Sequence, residues 1–233
     1  MRSMKALLDV LFPAQCLSCG APGGLACPTC LTPLLAAPRM VRPTPCPAGF
    51  PPTWSVASYS GPTRDLLLAY KERDAAGLAG PLAVPLAAAM RAVAPDRGAV
   101  IAIPVPSSKA AVRSRGEDVL AVLVRRAAAG CRAAGMPVRV IPALRQSRPV
   151  ADSAGLGAQA RVANLEHALA VKPGMAGRLT GRPIVIVDDL VTTGASLVEA
   201  ARSLRAAGGL VRGAATVAAT QRRNRAQLTI GFR

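Results

Sequence analysis

The run Ile184-Val185-Ile186-Val187-Asp188-Asp189-Leu190-Val191-Thr192-Thr193-Gly194-Ala195-Ser196 constrains this chain more than any other segment. Four β-branched residues in succession have the pattern of a central strand covered on both faces. That strand ends in two adjacent carboxylates. A loop of hydroxyls and glycine follows, and a helix is expected from Ala195 to Ala207, ended by Gly208 and Gly209. In open α/β sheets, ligands bind beyond the carboxyl ends of strands. A helix N-terminus placed there offers unpaired N–H groups and a partial positive charge, both suited to a phosphate. Gly194 is expected to let backbone approach that phosphate, with Thr192, Thr193 and Ser196 adding hydroxyl donors. Asp188 and Asp189 repel one another, more so when buried. Ribose hydroxyls or a magnesium ion would relieve the repulsion. A phosphorylated sugar fits this arrangement, its diol on the acids and its phosphate on the helix. The same residues also read as an ordinary strand-to-helix turn, with Ser196 and Glu199 spaced as a capping box. A nucleoside triphosphate P-loop is excluded, because no G-x-x-x-x-G-K-[ST] occurs.

The rest of the chain alternates in the same way. Strands are expected at 55–59, 100–103, 138–141 and 184–187, with a last strand or pair of strands over 210–220. Helices are expected at 62–73, 82–93 and 118–132; in the last of these Val119, Leu120, Leu123 and Val124 recur at helical spacing. Such alternation predicts an α/β fold with a parallel sheet flanked by helices. Residues 145–161 are polar and aperiodic, which suits either a lid or a disordered segment.

Four of the six cysteines form one cluster, Cys16-x2-Cys19, seven residues, Cys27-x2-Cys30. Each C-x-x-C turn can aim two thiolates at one ion, and two turns complete a tetrahedral zinc shell. Two disulfides, free thiols or a redox pair are the other readings of this spacing, although no strand–helix junction of the redox type is evident. With four cysteine ligands a zinc ion has no open position, so it would fold the module and not catalyse. Cys46 and Cys131 read as plain residues. These features divide the chain into a four-cysteine zinc-binding module over 1–35, a proline-rich connector over 36–53, and an α/β domain over 54–233.

Composition narrows the classes. Aromatic residues are only 3% of the chain, so the core must be built from Ala, Val and Leu, and platforms that stack single-stranded bases lose weight. The net charge is +17, which either draws the protein to polyanions or reflects composition bias, since only four of the 29 basic residues are lysine. The longest apolar run, 78–90, is broken by Gly80, Pro81 and Pro85 and is too short to span a bilayer. Residues 1–12 read as a short amphipathic helix and not a signal peptide, because Asp9 interrupts the apolar stretch. A cytoplasmic location without membrane insertion is the expectation.

Four apolar residues, Asp-Asp, two residues and Thr-Thr-Gly resemble the phosphoribosyl pyrophosphate signature of type I phosphoribosyltransferases. Across nearly its whole length the chain is similar to the ComF family, named for a role in DNA uptake during natural competence. The similarity rests on the cysteine module, Tyr59-Ser60-Gly61-Pro62-Thr63-Arg64, Tyr70-Lys71 and Ile103-Pro104-Val105-Pro106-Ser107-Ser108. It continues through Arg113-Ser114-Arg115-Gly116 and Arg161-x-x-Asn164. The resemblance implies that Asp188 and Asp189 hold ribose hydroxyls and that Thr192, Thr193, Gly194, Ala195 and Ser196 hold the 5′-phosphate. Pro106, Ser107, Ser108 and Lys109 would form the pyrophosphate loop. Arg113 and Arg115 either add charge there or form a solvated basic turn. Lys71 and Arg73 are read as surface residues, although they follow a helix and reach towards phosphate in the alternative. The implied reaction displaces pyrophosphate from the anomeric carbon with a nitrogen base, assisted by magnesium and charge stabilisation, under the lid formed by 145–161. Glu117 stands where the family often has an aromatic, and Ser153 where it often has Gln. His167 reads as an ordinary surface residue, and Trp54 and Tyr59 as core or domain-joint residues. Alternatives to an enzyme are a non-catalytic accessory protein of DNA uptake that binds single-stranded DNA or a partner helicase, and a sensor of phosphoribosyl pyrophosphate.

Overall fold

A computed structural model describes residues 14–96, 98–148 and 164–220. After the cysteine turns come a short helix α1 (Pro28–Leu31), a 3-10 turn (Thr32–Leu35) and strand β1 (Arg39–Val41). The main domain continues with β2 (Thr53–Ser58), α2 (Gly61–Glu72), a 3-10 turn (Ala76–Leu78), α3 (Ala79–Val93), β3 (Val100–Pro104) and α4 (Lys109–Arg115). Next come α5 (Val119–Ala133), β4 (Val138–Val140), β5 (Leu144–Gln146), β6 (Leu169–Val171) and α6 (Ala176–Leu179). The described chain ends with β7 (Pro183–Val187), β8 (Leu190–Val191), α7 (Ala195–Ala206) and β9 (Leu210–Ala219).

The main sheet has seven strands in the order β1-β2-β9-β7-β3-β4, with β8 beside the far end of β9. All its pairings are parallel except β1 with β2. The fold is therefore α/β, a mostly parallel sheet flanked by helices, with the cysteine cluster at the N-terminal side. The β-branched run forms β7 at the centre, where Ile184, Val185, Ile186 and Val187 are fully buried. β9 makes the long spine: its first half pairs with β7 and its last residues with β8. Between these two pairings lie Asp188 and Asp189. Asp188 N–H donates to the Ala215 carbonyl at 3.1 Å, and the Asp189 carbonyl accepts from Val217 N–H at 3.1 Å and Ala218 N–H at 3.2 Å. The acid pair thus occupies a break in a strand line that resumes as β8.

The core contains the small and aliphatic residues that the composition demands. Ala214, Ala215, Val217 and Ala218 line β9, and Leu82, Leu86, Met90 and Leu123 fill the layer under α3 and α5. The small side chains allow close helix packing: Cys131 Sγ on α5 lies 3.5 Å from the Ala87 carbonyl of α3. Pro81 and Pro85 break this apolar run in sequence, yet α3 is continuous through both. Pro81 falls in the first turn, where its missing N–H costs little, and burial of Leu82, Leu86 and Met90 outweighs the bond lost at Pro85. Residues 76–93 are long and apolar enough to cross a membrane by composition alone, but 56% of them are buried inside the fold, as suits a core helix.

The segment 36–53 carries β1, which pairs Arg39 with Ser55 and Val41 with Thr53 at the sheet edge. Cys16, Cys27, Cys30 and Leu34 share one continuous core with the sheet. Residues 144–146 at the start of the expected lid form an antiparallel ribbon with β6. Residues 149–161, including Ser153 and Arg161, and the expected helix over 1–12 lie outside the described residues. His167 is exposed, and Trp54 and Tyr59 pack at the edge of the core.

Candidate functional site

A cavity of about 290 Å³ opens at the carboxyl ends of β3 and β7. Asp188, Asp189, Thr192 and Ser196 form one wall, and Pro106, Ser107 and Arg115 another. The third wall is the end of α2, which brings in Tyr70 and Lys71. Lys71 Nζ lies 2.8 Å from Asp189 Oδ2. The sequence reading of Lys71 as a surface residue is therefore corrected: the carboxyl end of α2 points it at the acids. Arg73, two residues further on, is exposed as expected.

The electrostatics follow from burial. Asp189 is buried and Asp188 is half-buried beside it. Burial, followed by repulsion from Asp189, pushes the Asp188 carboxyl well above the ordinary carboxylate range, and the ammonium of Lys71 offsets only part of this. For Lys71, burial works against the charge, but attraction to Asp189 and then Asp188 outweighs it and raises its pKa. Asp189 N–H also donates to Asp188 Oδ1 at 2.9 Å. Tyr70 Oη donates to the Val119 carbonyl at 2.6 Å, and burial with the nearby Glu117 carboxylate pushes it up to about 12. This phenol is a fixed neutral donor.

Arg115 Nη1 donates to the Lys71 carbonyl, which ties the end of α4 to the end of α2. Its Nε is buried and has no acceptor among the described residues. Ser107 Oγ lines the cavity but donates to Asp118 Oδ1 at 2.9 Å, and Asp118 in turn caps α5 by accepting from Ala121 N–H at 3.2 Å.

The turn into α7 is held by long-range contacts as well as by its local sequence. Gly194 is the N-cap residue, with φ +79° in the left-handed region. A Cβ on Gly194 would lie 2.6 Å from the Phe50 ring and 3.2 Å from Pro43, so the side where a side chain would stand is filled by the proline-rich segment. The capping box is absent. No side chain caps α7, and the buried Glu199 instead accepts from Leu169 N–H at 3.1 Å while pairing with Arg202 at 2.7 Å. Burial disfavours the Glu199 charge, but Arg202 and the Leu169 amide more than compensate and lower its pKa. Glu199 therefore anchors the β5–β6 ribbon to α7. Replacing Gly194 by Ala is expected to destabilise the fold by at least about 1–2 kcal/mol from the left-handed backbone alone, with Phe50 displaced in addition. Urea denaturation of the variant measures this.

The four clustered thiols sit together. Their sulfur atoms all lie within 4.8 Å of one another, and Cys19 Sγ is 3.6 Å from Cys27 Sγ. Tetrahedral Zn–S bonds of about 2.3 Å would space the sulfurs by about 3.8 Å, so the cluster could hold one metal ion such as zinc. All four are free cysteines in this structure. Burial would raise the Cys16 thiol, but the backbone around it at Cys19, Cys27 and Ser18 outweighs burial and brings it down to about 6. Burial and its neighbouring thiols push Cys30 up to about 12, and a bound cation would favour the thiolate forms.

Comparison with models of protein families finds none that fits this chain, and comparison with curated proteins finds no match either. Function must come from the site itself. Of the residues singled out from sequence, Asp188, Asp189, Thr192, Ser196, Pro106, Ser107 and Arg115 meet at one cavity. Thr193, Gly194 and Ala195 shape the turn behind it, where Ala195 N–H approaches Thr193 Oγ1 at 3.5 Å. Arg113 is exposed and does not line the cavity, and neither does Ser108; Lys109 begins α4, with its side chain outside the described set. Lys71 and Tyr70 are the additions. The signal for them is the Tyr70-Lys71 pair itself, placed in the last turn of a helix whose end faces the acids.

Proposed function

We propose that this is a phosphoribosyltransferase-like protein of the ComF type that binds phosphoribosyl pyrophosphate with magnesium between Lys71, Asp188 and the opening of α7. One observation carries the reading: two adjacent carboxylates at the end of the central strand share a cavity with Thr192 and Ser196 at the head of the next helix. The volume, about 290 Å³, sits at the small end of ligand pockets and suits a sugar phosphate. In this reading the ribose hydroxyls rest on Asp188 and Asp189, and the 5′-phosphate lies over the turn from Thr192 to Ser196. The pyrophosphate end faces Lys71 and the unsatisfied Nε of Arg115. Magnesium, when bound, would neutralise the departing pyrophosphate. The residues of this chain orient the sugar, hold the charge and exclude water; the acceptor would be a nitrogen base attacking the anomeric carbon. The four cysteines would hold one structural zinc ion, and a role in DNA uptake follows if the ComF resemblance extends to biology.

Calorimetric titration with phosphoribosyl pyrophosphate tests the reading, with binding expected only when magnesium is present. A screen for pyrophosphate release across nitrogen bases then separates an enzyme from a sensor. The acid pair adds a pH signature. In the empty site Asp188 holds its proton to a higher pH than an ordinary carboxyl, because burial and Asp189 raise it. A magnesium-bound ligand favours the ionised form, so binding is expected to release a proton and to strengthen as pH rises towards and through that elevated pKa. Titrations in buffers of different ionisation enthalpy measure the proton directly.

A further inference from the structure

A second and larger concavity, of about 520 Å³, lies at the opposite ends of the strands, where β3, β4 and β7 begin. Its floor is apolar, from Val100, Ile101, Val138 and Ile141. Three arginines line it: Arg139 on β4, Arg178 on α6 and Arg182 just before β7. All three are exposed, and no acidic residue lines the groove among the described residues. None of the three is in an ion pair among the described residues, where Arg202 and Arg212 do find carboxylates. Three guanidinium forks around one concave surface, with no counter-charge from the groove itself, form an anion site that repels itself when empty. The ligand that satisfies them is multiply charged and rich in oxygen acceptors, which describes consecutive phosphates. The groove is also wide enough for more than a single ion, and its apolar floor suits the body of a nucleotide. Among the described residues no aromatic side chain lines it, so base identity would go unread.

We infer that Arg139, Arg178 and Arg182 form a binding site for the consecutive phosphates of a nucleotide, distinct from the acid-pair cavity. The site is independent of the sugar-phosphate reading, since it lies at the opposite ends of the strands and shares no residue with that cavity.

The test uses full-length protein carrying Asp188→Asn and Asp189→Asn as the parent for every variant, so that the first cavity is identical in all of them and any difference belongs to the three arginines. Two probes are titrated, a fluorescent oligothymidylate and ATP, each over a range of salt. Adding Arg139→Gln, Arg178→Gln and Arg182→Gln is expected to weaken the bound probe by at least about tenfold near 0.1 M salt. For the oligonucleotide it should also reduce the slope of log affinity on log salt by about 2, at about 0.7 for each phosphate left without its arginine. Displacement of the oligonucleotide by micromolar ATP is the expected result, and failure of ATP to displace it overturns the nucleotide assignment in favour of a nucleic-acid strand. The single charge reversal Arg178→Glu, on an exposed turn, should weaken the same probe, and circular dichroism confirms that both variants stay folded. The inference is overturned if neither probe binds the parent, or if the triple variant binds both with unchanged affinity and salt slope.

Discussion

Replacing Asp188 and Asp189 together by Asn is expected to abolish magnesium-dependent binding of phosphoribosyl pyrophosphate while leaving the protein folded and more stable. The stability gain follows from the charges. Asp188 is held against burial and against Asp189, and its raised pKa means that the folded state loses stability as pH rises through the point where it ionises. An amide carries no such penalty. Lys71 would lose its partner at 2.8 Å, but it is partly exposed and can turn to solvent. Binding, in contrast, loses the only carboxylates that line the cavity among the described residues. An affinity loss of at least about a hundredfold, equivalent to about 2.7 kcal/mol, is the expected result. Calorimetry on wild type and double variant, with melting temperatures beside it, reads both halves. Equal binding by the two proteins would remove the sugar-phosphate reading, and a collapse of stability would show that the acids hold the fold together instead.

The second large effect concerns the cysteine cluster. Changing Cys27 to Ser is expected to lower bound zinc from about one ion per chain to near none. Because the binding energy of a structural zinc ion is folding energy, the damage should extend beyond the metal. Beyond the shared core, two specific contacts tie the cluster to the main domain. Ser18 Oγ donates to Asp65 Oδ2 at 3.0 Å, which fastens a cysteine turn to α2. Leu25 presses on Gly77, where a Cβ would lie 2.6 Å from its Cδ1. A loss of a few kcal/mol corresponds to about 10 °C in a chain of this size. Since α2 also delivers Lys71 to the acids, sugar-phosphate affinity should fall as well. Metal analysis, a melting curve and one titration check all three effects. Wild-type protein purified without any metal would reject the zinc assignment.

Local patterns made much of this architecture legible in sequence. The β-branched run announced β7, the helical spacing of Val119, Leu120, Leu123 and Val124 announced α5, and Asp118 caps that helix. Cysteine spacing alone brought four thiols to one point. What escaped was long-range. Nothing near Gly194 says that Phe50 will cover it, and nothing near Glu199 says that its partner will be the Leu169 amide. The capping box was displaced by a contact from a distant segment, and Gly194 is required by its packing against Phe50 whatever lies over the turn. Lys71 was misplaced for the same reason, because a cation at a helix end declares its charge but not what the helix end faces. The ribbon of β5 and β6 lacks the alternation that marks buried strands, as only Leu144 and Leu169 of its six residues are buried.

The break between β7 and β8 has one last implication. At Asp189 the main chain is clamped twice by β9, while both carboxyl groups project from the gap. The scaffold is therefore rigid where the acids are rooted and yields only at side-chain torsions. An arriving sugar would find its acceptors already aimed, and the cost of admitting it would fall on swinging one ammonium aside. Preorganisation of this kind places the adaptable element on the cation and the fixed element on the anions. Backbone positions from 187 to 190 should then superpose between empty and loaded protein, with Lys71 as the moving part.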